Sequence, residues 1–155
     1  MNRQTFELLK EGEEQEVCDF VMQVFMEAVA TDYSPEGINE FARYVTGEAL
    51  RKRLQGNHFA LVARDDDKII GMVEVMENRH IAMLFVGSDR QGTGVGAELV
   101  RRSFSLIRSH DPHVSEITVH SAPLAVGFYR RLGFREDGPE NVVNGIRFIP
   151  MSLRF

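Results

Sequence analysis

The sequence has one cysteine, Cys18, so no internal disulfide can form, and its neighbours Val17, Phe20 and Val21 give the thiol an apolar, buried setting. No uninterrupted apolar run approaches the ~18 residues that a membrane span requires. The start, Met1-Asn2-Arg3-Gln4-Thr5, lacks the apolar centre of a signal peptide. These absences lead to the expectation of a soluble cytoplasmic protein with no membrane association. A basic excess is missing too: 18 Lys and Arg face 23 Asp and Glu, a formal charge of −5. Nucleic-acid binding would want a basic stripe, so no nucleic-acid partner is expected. The five histidines are scattered without ligand spacing, and no metal is expected. No repeat, linker or low-complexity segment interrupts the 155 residues, and one domain over 1–155 is the natural reading.

What is present reads as alternating structure. Phe6-Glu7-Leu8-Leu9 predicts a short strand, and Glu11 to Glu16 puts carboxylates at a helix start, where the dipole favours them. Val17, Phe20, Val21, Val24, Phe25 and Ala28 then form one apolar helix face before Thr31-Asp32-Tyr33-Ser34-Pro35 breaks it. Glu36 to Tyr44 and Gly47 to Leu54 read as a second, broken helical segment. From His58 the period changes: 59–63 and 69–76 make a hairpin, and 80–86 a third antiparallel strand. A helix from Gly94 buries Ala97, Val100, Phe104 and Ile107. The strand Glu116 to His120 follows a strand and a helix, so the crossover rule makes it parallel to the strand ending at Val86. A helix over Pro123 to Leu132 and closing strands over 134–137 and 146–155, with Asn144-Gly145 as a turn between them, complete the chain.

The apolar strand Ile81 to Val86 runs into Gly87-Ser88-Asp89-Arg90-Gln91-Gly92-Thr93-Gly94-Val95-Gly96 and then a helix, an arrangement that offers free amides and a positive dipole end to an anion. The Walker pattern fails, because Thr93 stands where its lysine belongs. The dinucleotide pattern is literally present at Gly92, Gly94 and Ala97, but its acidic ribose ligand is missing at His120-Ser121, and the antiparallel strands upstream do not suit that fold. A third pattern, Gln-x-x-Gly-x-Gly, is filled by Gln91, Gly94 and Gly96. About thirty residues later, Ser121-Ala122-Pro123-Leu124-Ala125-Val126-Gly127-Phe128-Tyr129-Arg130-Arg131-Leu132-Gly133-Phe134 supplies an alanine, Phe-Tyr and Leu-Gly-Phe.

Together these two stretches resemble the signatures of the GNAT superfamily of acyl-CoA-dependent N-acetyltransferases, and the element order agrees over nearly the whole chain. The resemblance implies an α/β (α+β) fold. Its centre would be a mixed, mostly antiparallel twisted sheet of six to seven strands, the fourth and fifth splayed, with about four flanking helices. It implies acetyl-CoA as co-substrate, with Leu84, Phe85 and Val86 along the pantetheine arm and backbone amides of Gln91, Gly92, Thr93, Gly94, Val95 and Gly96 on the pyrophosphate. Glycine at 92, 94 and 96 would keep side chains out of the way. Ser121, Ala125 and Tyr129 complete the coenzyme side, Ser121 standing where the superfamily often has asparagine.

Acetyl transfer to an amine needs a neutral amine, a stabilised oxyanion and a proton for the leaving thiolate. By the resemblance, the Val86 amide meets the oxyanion and Tyr129 is the general acid. His80 is the first choice of base, since counting along the strand puts it on one face with Ala82, Leu84 and Val86. Glu74 and Glu77 are alternatives. Arg101-Arg102 and Arg130-Arg131 read as solvated helix faces, with an approach to the coenzyme's adenosine phosphates as the alternative. Tyr33, Glu36 and Tyr44 fall in the segment that lines the acceptor side in the superfamily. The expected partner is a small-molecule or peptide amine, with a homodimer through Met151 to Phe155 as a further expectation. A non-catalytic acyl-CoA-binding domain and a protein-interaction module on the same fold are the rivals.

Overall fold

The computed structural model describes residues 3–155; Met1 and Asn2, part of the start read above, lie outside the described residues. In chain order the elements are β1 (Gln4–Leu8), α1 (Glu14–Ala28), a 3-10 turn (Ala30–Asp32), α2 (Pro35–Tyr44), α3 (Gly47–Gln55), β2 (His58–Asp65), β3 (Lys68–Met76) and β4 (His80–Val86). Then come α4 (Val95–His110), β5 (Glu116–Ser121), a second 3-10 turn (Pro123–Ala125), α5 (Val126–Arg131), β6 (Arg135–Glu136), β7 (Asn141–Val143) and β8 (Ile146–Arg154). Local chemistry sets several boundaries. Ser34 accepts from the Gly37 amide at 3.0 Å to start α2, and Thr46 accepts from the Ala49 amide at 3.1 Å to start α3. Among the described residues no helix is long and apolar enough to cross a membrane.

The strands form one sheet in the order β1-β2-β3-β4-β5-β8-β6, with β7 paired to β8. Seven strands lie on that path, in keeping with the mixed α/β architecture read from the sequence, and β7 adds an eighth. The Asn144-Gly145 turn joins β7 to β8, rather than the segment 134–137 to β8; β7 has only three residues, all exposed, and so carries no hydrophobic period. Every neighbouring pair is antiparallel except β4 and β5, which pair in parallel only at His80 with Thr118 and Ile81 with Val119. Beyond those two pairs the strands part, so the splay lies between the fourth and fifth strands. Within the last strand, Met151 and Ser152 pair with β5 on one side and β6 on the other, while Leu153 and Arg154 pair with β5 alone.

The sheet separates two cores. Val95, Leu99, Val100 and Ile107 of α4, with Tyr129 and Phe134, pack on one face against Val73, Val75, Ile81 and Ile117. Val17, Cys18 and Val21 of α1 and Leu50 of α3 pack on the other against Val62, Met72 and Met83. A β-bulge controls which side chain goes where. Glu74 pairs with Met83 and Val75 with Ile81, so Ala82 is an extra residue on β4. Ile81 therefore joins Leu84 and Val86 in the α4-side core. His80 consequently faces the α1 side with Met83, and the shared face with Leu84 and Val86 that strict alternation predicts is corrected by that one inserted residue.

The turn between β7 and β8 docks on the start of α2, where Ser34 Oγ donates to the Gly145 carbonyl at 3.4 Å. A Cβ on Gly37 would stand 2.4 Å from that same carbonyl oxygen. Gly37→Ala should therefore undock the hairpin and cost about 1–3 kcal/mol, as overpacking does, read as a lower urea midpoint with the slope unchanged.

Candidate active site

The splay opens a cleft of about 660 Å³ through the sheet. Its walls come from both faces: Tyr33, Phe41 and Phe85 on the α1 side, and Gly94, Phe128 and Tyr129 on the α4 side. Backbone groups of β4 line its floor. The Gly87 amide donates to the Ile70 carbonyl across β3 at 2.9 Å, and antiparallel alternation then turns the N–H groups of Leu84 and Val86 away from β3, into the gap. Gln91 donates from Nε2 to the Val86 carbonyl at 3.2 Å, so its side chain ties the loop to the strand end. Arg90 does the same toward β2, with an ion pair to Asp65 at 2.8 Å.

The glycines of the loop have different jobs. Gly92 and Gly94 have φ of 78° and 94°, and nothing lies within 4 Å of where a Cβ would be, so the backbone there is turned and open. Gly94 is the N-cap of α4, whose first amides have no partner within the helix. Gly96 is different. A Cβ there would meet the Phe128 ring at 3.2 Å and Val86 Cγ2 at 3.4 Å, so this glycine, which also lines the cleft, lets α5 and β4 approach α4. Val95 is buried in the core, the Thr93 hydroxyl bonds the Arg90 carbonyl, and neither side chain lines the cleft. What remains is an anion cradle of backbone amides beside a strip of unpaired strand, which fits an extended chain ending in phosphate.

Tyr129 lines the cleft and is 5% exposed, packed edge-on against Phe134 at 5.3 Å. Burial pushes its hydroxyl well above the ordinary tyrosine value, so it keeps its proton at neutral pH. Ala125 lines the cleft beside it. Ser121 does not: it is buried, and its hydroxyl donates to the Ala122 carbonyl at 2.8 Å.

The carboxylates read as alternative bases are placed elsewhere. Glu74 is fully buried outside the cleft, held by Arg53 Nε at 2.8 Å, His58 Nδ1 at 2.7 Å and the Tyr44 hydroxyl at 3.4 Å. Glu77 sits in the β3–β4 turn with φ of 54°, 3.9 Å from Arg79. His80 also stops short of the cleft wall, with Nδ1 2.7 Å from Thr118 Oγ1 and its ring edge-on to His120, 4.8 Å between centroids. Burial, helped by His120 and Arg79, lowers its pKa to about 4.

The profile of the acetyltransferase (GNAT) domain matches residues 29–155. The chain belongs to the GNAT acetyltransferase family. A peptidyl-lysine N-acetyltransferase, YjaB, of Salmonella typhimurium is 31% identical over 78 residues, half of each chain. The YjaB of Escherichia coli is 29% identical over 82 residues, so the chain spans about half the length of the curated relatives it matches. A GCN5-related N-acetyltransferase structure from Rhodopseudomonas palustris superposes with a TM-score of 0.84 at 20% identity, over 100% of this chain and 98% of that one. The PaiA N-acetyltransferase of Thermoplasma acidophilum, solved in complex with coenzyme A, gives 0.80 at 16% identity over 99% of both.

This GNAT chain also carries a cleft residue that the sequence reading does not single out. His120 lines the cleft, on the opposite side of β5 from the buried Ile117 and Val119, a parity visible in Ile117-Thr118-Val119-His120. Of the arginine pairs, Arg131 lines the cleft, Arg130 pairs with Glu136, and Arg101 and Arg102 pair with Glu98 on a solvated face. Among the described residues no group of three His, Cys, Asp or Glu side chains forms a metal site.

Two outcomes follow from these placements. The folded His80 ring binds its proton more weakly than the unfolded one, so its contribution to stability is full above about pH 6.5 and is lost as pH falls toward about 4. Its NMR ring signals should stay flat from pH 8 to about 5.5, and His80→Gln should flatten the acid limb of the stability curve. Glu74→Ala leaves Arg53 without its carboxylate in a mostly buried site and should cost about 3 kcal/mol in chemical denaturation.

Proposed function

We propose that this chain transfers an acetyl group from acetyl-CoA to a primary amine by direct attack in a ternary complex. The observation that carries the reading is the cleft through the splay, open to both faces of the sheet, with strand amides and an anion cradle on one side and an aromatic-lined chamber on the other. A donor and an acceptor can enter it from opposite faces and meet at β4. The relatives named as peptidyl-lysine N-acetyltransferases and the coenzyme A complex of a fold neighbour support an amine acceptor and an acyl-CoA donor. A cytoplasmic location belongs to the same reading, in keeping with a chain whose one thiol is buried.

Acetyl-CoA, when bound, supplies the acetyl group as an activated thioester. The residues that would hold it are Leu84, Phe85 and Val86 along the strand, and the amides of Gln91 to Gly96 around its phosphates. The Val86 N–H, aimed into the gap, is placed to donate to a developing oxyanion. Tyr129 is the proton donor to the departing sulfur: a hydroxyl kept protonated by burial has its proton available at neutral pH. The amine must arrive neutral, and since an alkylammonium has a pKa near 10, a base in the cleft has to take its proton.

Thiol release from acetyl-CoA over a mixed amine panel tests the reading. Coenzyme-dependent thermal stabilisation with no release on any amine would instead indicate a non-catalytic binding domain. Tyr129→Phe should lower release by about a hundredfold, the scale of one general acid, while calorimetry finds acetyl-CoA bound as before.

A further inference from the structure

We propose that His120 is the base that takes the proton from the acceptor's ammonium group, with His80 as the residue that positions it. This rests on the acetyl-transfer reading of the same cleft. The titratable side chains that line the cleft are Asp32, Tyr33, Arg90, His120, Tyr129 and Arg131. Burial pushes both tyrosines up, so neither is a phenolate near neutral pH. Arg90 is engaged with Asp65, and neither arginine can accept a proton. Asp32 and His120 remain. A carboxylate is the weaker base by more than two pK units as a class, and Asp32 stands in the 3-10 turn after α1, at one wall of the cleft.

His120 is better placed. It follows Val119, the last residue of β5 paired with β4, so its backbone stands where the gap opens. Its side chain points to the α1 face with Thr118, toward the chamber that Tyr33 and Phe41 line, which is the acceptor side of the proposed complex. The ring is held on two sides. It stacks on Phe148 of β8 with centroids 4.2 Å apart and planes 16° from parallel, and it meets the edge of His80 at 4.8 Å. His80 is in turn fixed by its 2.7 Å hydrogen bond with Thr118 Oγ1. A held ring loses little freedom when a substrate proton reaches it.

His80 from β4 and the uncharged Phe148 from β8 pack against the His120 ring, and Asp32, Tyr33, Arg90, Tyr129 and Arg131 are the other titratable groups that line the same cleft. Burial lowers the pKa of His120, which leaves the imidazole neutral at pH 7 and free to accept. In the step, one N–H bond of the ammonium breaks and its electron pair stays on nitrogen. The proton goes to the imidazole and then to solvent.

The test measures thiol release from acetyl-CoA between pH 6 and 10 with phenethylamine, spermidine and Nα-acetyl-lysine amide, for the wild type, His120→Gln, His120→Ala and His80→Gln. With the amine turned over fastest, His120→Gln should lose about a hundredfold at pH 7 and regain activity about tenfold per pH unit toward the amine's own pKa near 10. The wild-type rate should change little across the same range. Free imidazole should restore part of the rate to His120→Ala, and His80→Gln should lose less than His120→Gln and keep the wild-type profile. Calorimetric binding of acetyl-CoA by each variant shows that the fold and the donor side are intact. A wild-type rate and profile in His120→Gln overturns the inference while leaving acetyl transfer standing. Binding without release in the wild type, on all three amines, overturns the transfer reading and the inference with it.

Discussion

Two strands that pair at only two positions and then part hold the key to this molecule. After Ile81 and Val119, the groups of β4 that a parallel neighbour would satisfy are left facing a gap, and unpaired backbone polar groups must find water or a ligand. The gap is stable because it is not asked to hold the sheet together. Each side belongs to a longer antiparallel ladder, β4 with β3 over six register pairs and β5 with β8 over another six. Each half is laddered along its length, while the seam between them is paired at two positions only. Gly71, opposite Val86, lets α4 in so closely that a Cβ there would touch Leu99 at 3.0 Å and Val95 at 3.1 Å. That contact brings the helix N-terminus and its amides to the mouth of the seam, so a packing glycine in β3 fixes the glycine-rich loop against the open strand.

The order of elements was legible because each announces itself by period or by punctuation. Val17, Val21, Val24 and Phe25 are readable as core from helical spacing, and the β4-to-α4 turn from its glycines. Three things were hidden for physical reasons. A strand's face is assigned by counting, and the inserted Ala82 changes the count without changing the composition, so His80 faces the α1 side and not the side that the count gives. The role of a glycine depends on what its missing Cβ would strike: Gly94 turns with positive φ, whereas Gly96 accommodates Phe128, and both read alike as sequence. A buried carboxylate looks like a base until its partners are known, and those of Glu74 come from residues 16, 21 and 30 positions away. His120 is the opposite case, since strict alternation along β5 already set it apart from Ile117 and Val119.

Glu74 turns out to matter to the site by a different route. It stands opposite Met83, at the edge of the bulge, and the next pair is Val75 with Ile81. Its carboxylate collects Arg53 from α3, His58 from β2 and Tyr44 from the end of α2, and the Arg53 guanidinium lies 3.5 Å from the centre of the Tyr44 ring. A charge buried this completely is tolerable only while those partners stay in place, so the cluster fixes the register of β3 just where β4 carries its extra residue. If β4 slid by one position, Ile81 and His80 would exchange faces. The α4-side core would then receive an imidazole, and the ring behind His120 would be lost. The buried ion cluster, outside the cleft, is in this sense what keeps the two histidines of β4 and β5 on the same side of the sheet.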